Sequence, residues 1–169
     1  MAADRTAKRE MQQFFHDGWK DGLANGLPNS DPPLTVPNFN VGGASYEPQV
    51  YWHNIENRDL LPKDEHFAIF STSNIQTTQR TLPGGRAEGI GARFTTPGVG
   101  VVQLFFSKSN YTTEEQEFLC AVAQEMFFGA STASVWFRNP TIVDHAPEES
   151  FFKANVTFEF EYDTRLQTA

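Results

Sequence analysis

Apolar residues at the start of the chain recur every fourth position. Met11, Phe15, Trp19 and Leu23 form one stripe, and the spacing predicts an amphipathic helix over residues 4–24, with Asp4 placed to cap it. The polar face of that helix is not rich in Lys or Arg, which favours packing on a core over lying on a membrane surface. Gly18 and Gly22 weaken the helix but suit the close approach of a neighbour. The periodicity then stops. Residues 25–48 are rich in Pro, Gly, Asn and Ser and predict no regular structure. Such a stretch is uncommon inside a compact domain. Its embedded Leu34, Val36, Phe39, Val41 and Tyr46 favour an arm ordered by a neighbouring protein over a linker, which needs no apolar side chains.

Beyond the arm the period becomes two. A short strand is expected from Val50 to Asn54 and a clearer one over 65–75. In the latter, Phe67, Ile69 and Ile75 take one face and His66, Ala68, Phe70 and Thr72 the other. Residues 76–88 read as a polar tip turning at Pro83-Gly84-Gly85. Strands at Ile90–Thr96 and Val99–Ser107 then read as a hairpin, because Thr96-Pro97-Gly98-Val99 places Pro and Gly as a type II turn requires. The run VVQLFF is nearly all apolar and predicts a central strand covered on both faces.

Thr112 with Glu115, or Thr113 with Gln116, offers a capping box for a second helix. Phe118, Leu119, Val122, Met126 and Phe127 carry its apolar face, and Gly129 is placed to end it. A strand follows from Ala133 to Arg138, continuing through Ile142 and Val143 past Pro140. In the last strand Phe152, Ala154, Val156, Phe158, Phe160 and Tyr162 alternate with Lys153, Asn155, Thr157, Glu159, Glu161 and Asp163, so one face is buried and the other wet. The order predicts a single α+β domain over residues 1–169. It has an antiparallel sheet of about five or six strands, two helices packed on one side, and an irregular arm at 25–48.

Composition narrows the function classes. The chain has 169 residues and a net charge of −8, and no Lys/Arg cluster, which argues against a grip on nucleic acid. An acidic protein still lets DNA slide past, because repulsion prevents sticking. The single cysteine, Cys120, excludes an intrachain disulfide framework and suits a reducing compartment. No apolar run approaches the roughly 18 residues needed to span a bilayer, and the charged start of the chain has no signal-peptide core. Phe, Tyr and Trp make up 14% of the residues. Such rings dominate both cores and protein–protein interfaces, and sequence does not divide them between the two.

Catalytic patterns are not found. His16, His53, His66 and His145 lack zinc spacing, and Cys120 has no cysteine partner, so neither a metal nor a cofactor is expected. His53 and His66 read as ordinary strand histidines, with a meeting across strands as the alternative. Cys120 reads as a buried, inert thiol, with a Cys/His nucleophile as the alternative. The glycines at 84, 85, 89 and 91 fit no phosphate loop. Glu114, Glu115 and Glu117 crowd a helix start, where the macrodipole favours acids. Asp144, Glu148 and Glu149 fall in a turn-rich loop without a calcium pattern and are expected to face solvent. The chain reads as an assembly protein rather than an enzyme.

The order of elements resembles the tail terminator (tail completion) proteins of long-tailed bacteriophages. The resemblance covers about residues 49–164 plus the first helix. It rests on VYWHNIEN with Leu61-Pro62, then HFAIFSTSNIQTTQRT, GIGARFTTPGVGVVQLFF, EEQEFLCAVAQEMFFG, SVWF and the aromatic-Asp ending FEFEYD. The ordered set carries the likeness, not any one motif. Two departures stand out: the segment 25–48 is longer than the family's usual connection, and SKSNYTT replaces a Pro/Gly turn.

The resemblance implies a virion protein assembled in the host cytoplasm. It would form a homohexameric ring that caps the growing tail tube, stops its polymerisation and docks to the head connector. DNA would pass through the lumen without specific binding, and no membrane is involved. The partners implied are the tail-tube protein and the head-connector or neck protein. On this reading Thr157, Glu159, Glu161 and Asp163 face the lumen or a subunit boundary. Leu34, Val36 and Phe39 in the arm, and Arg80, Leu82 and Arg86 in the loop at 76–90, are the candidate contacts above or below the ring. The alternatives are a head-closure or adaptor protein, another surface-exposed virion module, and a small ligand-binding domain or enzyme with a Phe-lined pocket between helices and sheet.

Overall fold

The computed structural model describes residues 2–53, 61–74, 78–79, 93–148 and 150–165. The expected tip at 76–88 with its turn, Arg80, Leu82 and Arg86, the start of the strand at Ile90, and Glu149 lie outside those residues, apart from positions 78–79.

Helix α1 spans Ala2–Asn25. The stripe is buried as its period demands: Met11 and Phe15 are 0% exposed, with Ala7, Trp19 and Leu23 on the same face. Asp4 lies inside the first turn rather than at the cap, because the helix begins two residues earlier than expected. The helix stops at Gly26, whose φ of 71° is open to glycine and whose N–H still reaches the Gly22 carbonyl at 2.9 Å.

The segment 25–48 is irregular, as expected, but it is ordered by the chain's own body. Leu27 and Leu34 exchange backbone bonds of 2.8 and 3.1 Å. Strands β1 (Asn40–Val41) and β2 (Ala44–Ser45) form a minimal hairpin. Its Gly42 and Gly43 hold positive φ, and the Gly43 N–H donates to Asn40 Oδ1 at 2.9 Å. Phe39 enters the core beside Tyr46, His66 and Phe118, and the Trp19 indole donates to the Pro48 carbonyl at 2.9 Å.

The main sheet runs β3-β4-β6-β8-β7. Its strands are β3 (Gln49–Trp52), β4 (Phe67–Asn74), β6 (Arg93–Ser107), β7 (Val135–His145) and β8 (Phe151–Arg165), with the two-residue β5 (Thr78–Gln79) added beside the start of β6. All neighbours are antiparallel except β3 and β4, which run parallel with Gln49 opposite Phe67. The sheet is therefore mixed, not wholly antiparallel. A parallel pair requires a long connection, and 14 residues separate these two strands in the sequence.

The expected hairpin at Thr96–Val99 does not form. β6 is one strand of 15 residues, paired along its whole length with β8. Gly98 and Gly100 sit directly opposite Phe160 and Phe158. A Cβ there would lie 2.2 and 2.0 Å from those rings, so the glycines make room for aromatics instead of making a turn. Pro97 falls where the β4 pairing has ended and the β5 pairing has not begun.

Helix α2 spans Thr113–Glu125 and opens with the capping box of Thr112 and Glu115. Gly129, with φ of 60°, follows its end by a short turn. Both helices pack on the same face of the sheet. Phe15, Phe70, Phe127 and Phe158 form a ring stack beneath them, closest at 3.8 Å between the Phe127 and Phe158 centroids. Gly22 lies against Val122 where the helices cross; a Cβ there would be 2.6 Å from Val122 Cγ1. The run VVQLFF is central, but its expected cover on both faces is not found. Val102, Leu104 and Phe106 are 0% exposed under the helices, while Val101, Gln103 and Phe105 are half-buried on the other side.

Candidate functional site

Among the described residues, the helices cover one face of the sheet and leave the other, the open face, without a helix, although Phe67 and Thr95 are buried on it and Leu61, Pro62 and Lys63 line a groove over its β4 end. Strand alternation with the observed register brings together there Phe67 and Ile69 of β4, Phe105 of β6, and the odd-numbered positions of β8. This face has two halves of different chemistry.

One half is aromatic. Phe67 and Phe105 stack at 4.7 Å, and Phe151 meets both edge-on. The Lys153 ammonium lies 4.9 Å from the Phe105 ring centre and pairs with Glu148 at 2.7 Å. Glu148 thus faces solvent as expected, already holding a cation. Asp144 is exposed too, but it stands in β7, because that strand runs on to His145.

The other half is polar and holds the four residues expected on a lumen or subunit boundary. Thr157, Glu159, Glu161 and Asp163 do share one face, as strand alternation requires. Glu161 forms an ion pair with Arg138 of β7, and Glu159 accepts from Asn139 Nδ2 at 3.1 Å. Asp163 accepts from the Thr95 hydroxyl at 2.8 Å, and the Thr157 hydroxyl donates to the Thr141 carbonyl at 3.4 Å. Glu159, Glu161 and Asp163 are thus each held by a neighbour in this half. A groove of about 400 Å³ beside it is lined by Trp136, Arg138, Glu161, Asp163 and the Gly129–Ser131 turn.

The outer strand β7 supplies what the sequence reading did not single out. Trp136, Ile142 and Val143 are 42%, 37% and 43% exposed, and all lie on this edge. The alternation in SVWF was a usable signal, since Trp136 falls between the inward Val135 and Phe137. A bulge divides β7 at Asn139-Pro140, where Asn139 adopts a φ of 51°. Ahead of the bulge the Ala130 carbonyl accepts the Phe137 N–H at 3.0 Å. Beyond it, positions 141–145 are exposed throughout.

The arm contributes less than expected to an outer surface. Phe39 is 5% exposed and belongs to the core, Leu34 packs against the core, and Val36 remains outside at 38%.

The titratable groups resolve plainly. His53 lies beside the end of β3 and His66 before the start of β4, so the parallel register keeps them apart. His66 is 0% exposed. Its Nδ1 accepts the Ser107 N–H at 3.0 Å, and its Nε2 lies 3.3 Å from Glu115 Oε2. Burial pushes the imidazole below its ordinary value, against the pull of Glu115. Glu115 is itself 6% exposed, because the capping box turns it inward. Cys120 is buried, and burial, with Asp144 nearby, pushes its thiol up to about 12, so it is not a thiolate nucleophile at neutral pH. Among the described residues, no three His, Cys, Asp or Glu side chains are grouped as metal ligands would be. Among them, too, no helix is long and apolar enough to cross a membrane.

Comparison with protein-family models and with curated proteins returns no match to this chain.

Proposed function

We propose that this chain is a structural virion protein that caps a phage tail tube as a ring of six copies, ends the tube's growth and joins the tail to the head connector. The observation that carries the reading is the edge of β7 beyond its bulge, where positions 141–145 are exposed with Ile142 and Val143 among them, whereas the edge at Val135 to Phe137 is already paired by the chain's own turn at Ala130 to Thr132. An open edge with apolar side chains is a template for pairing with another chain. A contact between that edge and a different surface of the next copy is head-to-tail, and head-to-tail contacts close into rings when the rotation allows.

The open face of the sheet supports the same reading. Glu159, Glu161 and Asp163 stand on it, and the chain's net charge of −8 suits a wall past which DNA slides without sticking. On this reading Thr157, Glu159, Glu161 and Asp163 face the lumen or the boundary with the next copy. Val36 is the arm's remaining contact candidate, and Arg80, Leu82 and Arg86, outside the described residues, stay candidates on the resemblance alone.

The test is the native mass of the full chain, alone and after incubation with tail tubes. The expected species, in one setting or both, is about six times the 19.0 kDa of the chain. The double variant Ile142→Lys, Val143→Lys shifts the population to monomer at concentrations where the parent is a ring. A monomer in both settings overturns the proposal. A ring that binds the head connector but not the tube reassigns the chain to a head-closure or adaptor role.

A further inference from the structure

We propose that His66 is an acid-released latch: a proton bound at its Nδ1 breaks the bond to the Ser107 amide and frees the connection at residues 107–112, while the sheet stays intact. The argument begins with direction. A backbone N–H only donates, so the Ser107 amide at 3.0 Å requires an unprotonated Nδ1. The ring proton therefore sits on Nε2 and points to Glu115 Oε2 at 3.3 Å. A second proton sets two N–H groups against each other at the Ser107 side. On the other side it strengthens the attraction to Glu115. The protonated ring is thus pulled toward α2 and released from the end of β6.

Few groups oppose or mimic this exchange. From α2 the ring meets Glu115, whose Oε2 already accepts the Thr112 amide at 3.1 Å and hydroxyl at 2.7 Å. From the arm it meets Phe39 and the Tyr46 phenol, whose oxygen accepts the His66 amide at 3.1 Å. From β6 it meets Phe106 and Ser107. On its own segment the charged residues are Lys63, Asp64 and Glu65. Lys63 contributes its carbonyl to the Ser107 hydroxyl, and Asp64 lies 3.5 Å from Ser109 Oγ. Glu65 acts on Tyr46 from nearby.

The connection that the latch holds ties three parts of the molecule together. The Lys108 amide donates to the Ser150 carbonyl at 3.1 Å, beside the β7–β8 turn. Asn110 Nδ2 donates to the Asn40 carbonyl at 3.1 Å and to Tyr46 Oη at 3.3 Å, on the arm. Thr112 caps α2. The β6–β8 ladder does not depend on these bonds.

The direction with pH follows. The free imidazole of an unfolded chain takes its proton near about pH 6.5, and the buried ring takes it only at lower pH. The latch's stabilisation is therefore full above about pH 6.5 and is lost as pH falls below it.

Amide hydrogen exchange on the full chain tests this, at about pH 7.5 and about pH 5.5 and corrected for the intrinsic rate. Segment 107–115 is expected to exchange at least about tenfold faster at the lower pH, with β8 unchanged. His66→Gln, whose amide accepts from Ser107 and donates to Glu115 without titrating, is expected to abolish the difference. In the parent chain, imidazole nitrogen shifts are expected to place the neutral ring's proton on Nε2 and to report Nδ1 protonation only at lower pH than a free imidazole, a readout that stands if the variant does not fold. Three results overturn the latch: no change in segment 107–115, a change that persists in His66→Gln, or a neutral ring that carries its proton on Nδ1.

Discussion

At the scale of single residues, two glycines decide how the sheet is built. Gly98 and Gly100 lie under the rings of Phe160 and Phe158 in the adjacent strand. A methyl group at position 100 would overlap the Phe158 ring, so Gly100→Ala is expected to destabilise the fold by roughly 1–3 kcal/mol despite its gain in chain stiffness. A lower urea midpoint at unchanged slope checks this. Combining it with Phe158→Leu is expected to cost less than the sum, because the smaller side chain vacates the contact. Cys120 gives a second outcome. Its buried thiol is expected to resist iodoacetamide in the folded protein and to label only as the chain unfolds. The inertness of Cys120 was legible from its place on an apolar helix. The role of the glycines was not. Pro97-Gly98 is a strong local turn signal, and only the register of β8 reveals that the small residue is needed for a ring across the strand pair.

At the scale of elements, the helices were the most legible parts because their signals are local. The four-residue stripe of α1 and the Thr112–Glu115 box of α2 stand where the sequence places them. Thr112→Ala removes a bond to the Glu115 amide and the hydroxyl that Glu115 accepts, and is expected to cost about 1–2 kcal/mol, read from the thermal or urea midpoint. Gly22→Ala should gain helix propensity, yet the contact with Val122 opposes it. The expected result is a net loss that Val122→Ala reverses. The parallel pairing of β3 and the packing of the arm were not legible, because both depend on partners far along the chain. Phe39 shows why: an apolar residue among prolines and glycines fits a neighbour's surface and the chain's own core equally well until the fold is known. The polar face of β8 was legible from strict alternation, whereas its pairing with Arg138 and Asn139 required the bulge in β7.

At the scale of the whole molecule, helices shield one face of the sheet, while among the described residues the open face is partly exposed and the edge of β7 beyond its bulge is exposed. The aromatic surplus divides accordingly. Most rings fill the core beneath the helices, a second group stacks on the open face around Phe105, and Trp136 stands on the edge. The proposed ring uses the edge for contact between copies and the polar half of the open face as its inner wall. The most direct measurement is electron microscopy of tail tubes assembled with and without the full chain. The account predicts tubes that stop growing in its presence and carry a six-fold ring of this protein at one end, with Glu159 and its neighbours on the inner wall or between copies. Tubes of unchanged length with bare ends, or a ring that places those side chains on its outer wall, would contradict it.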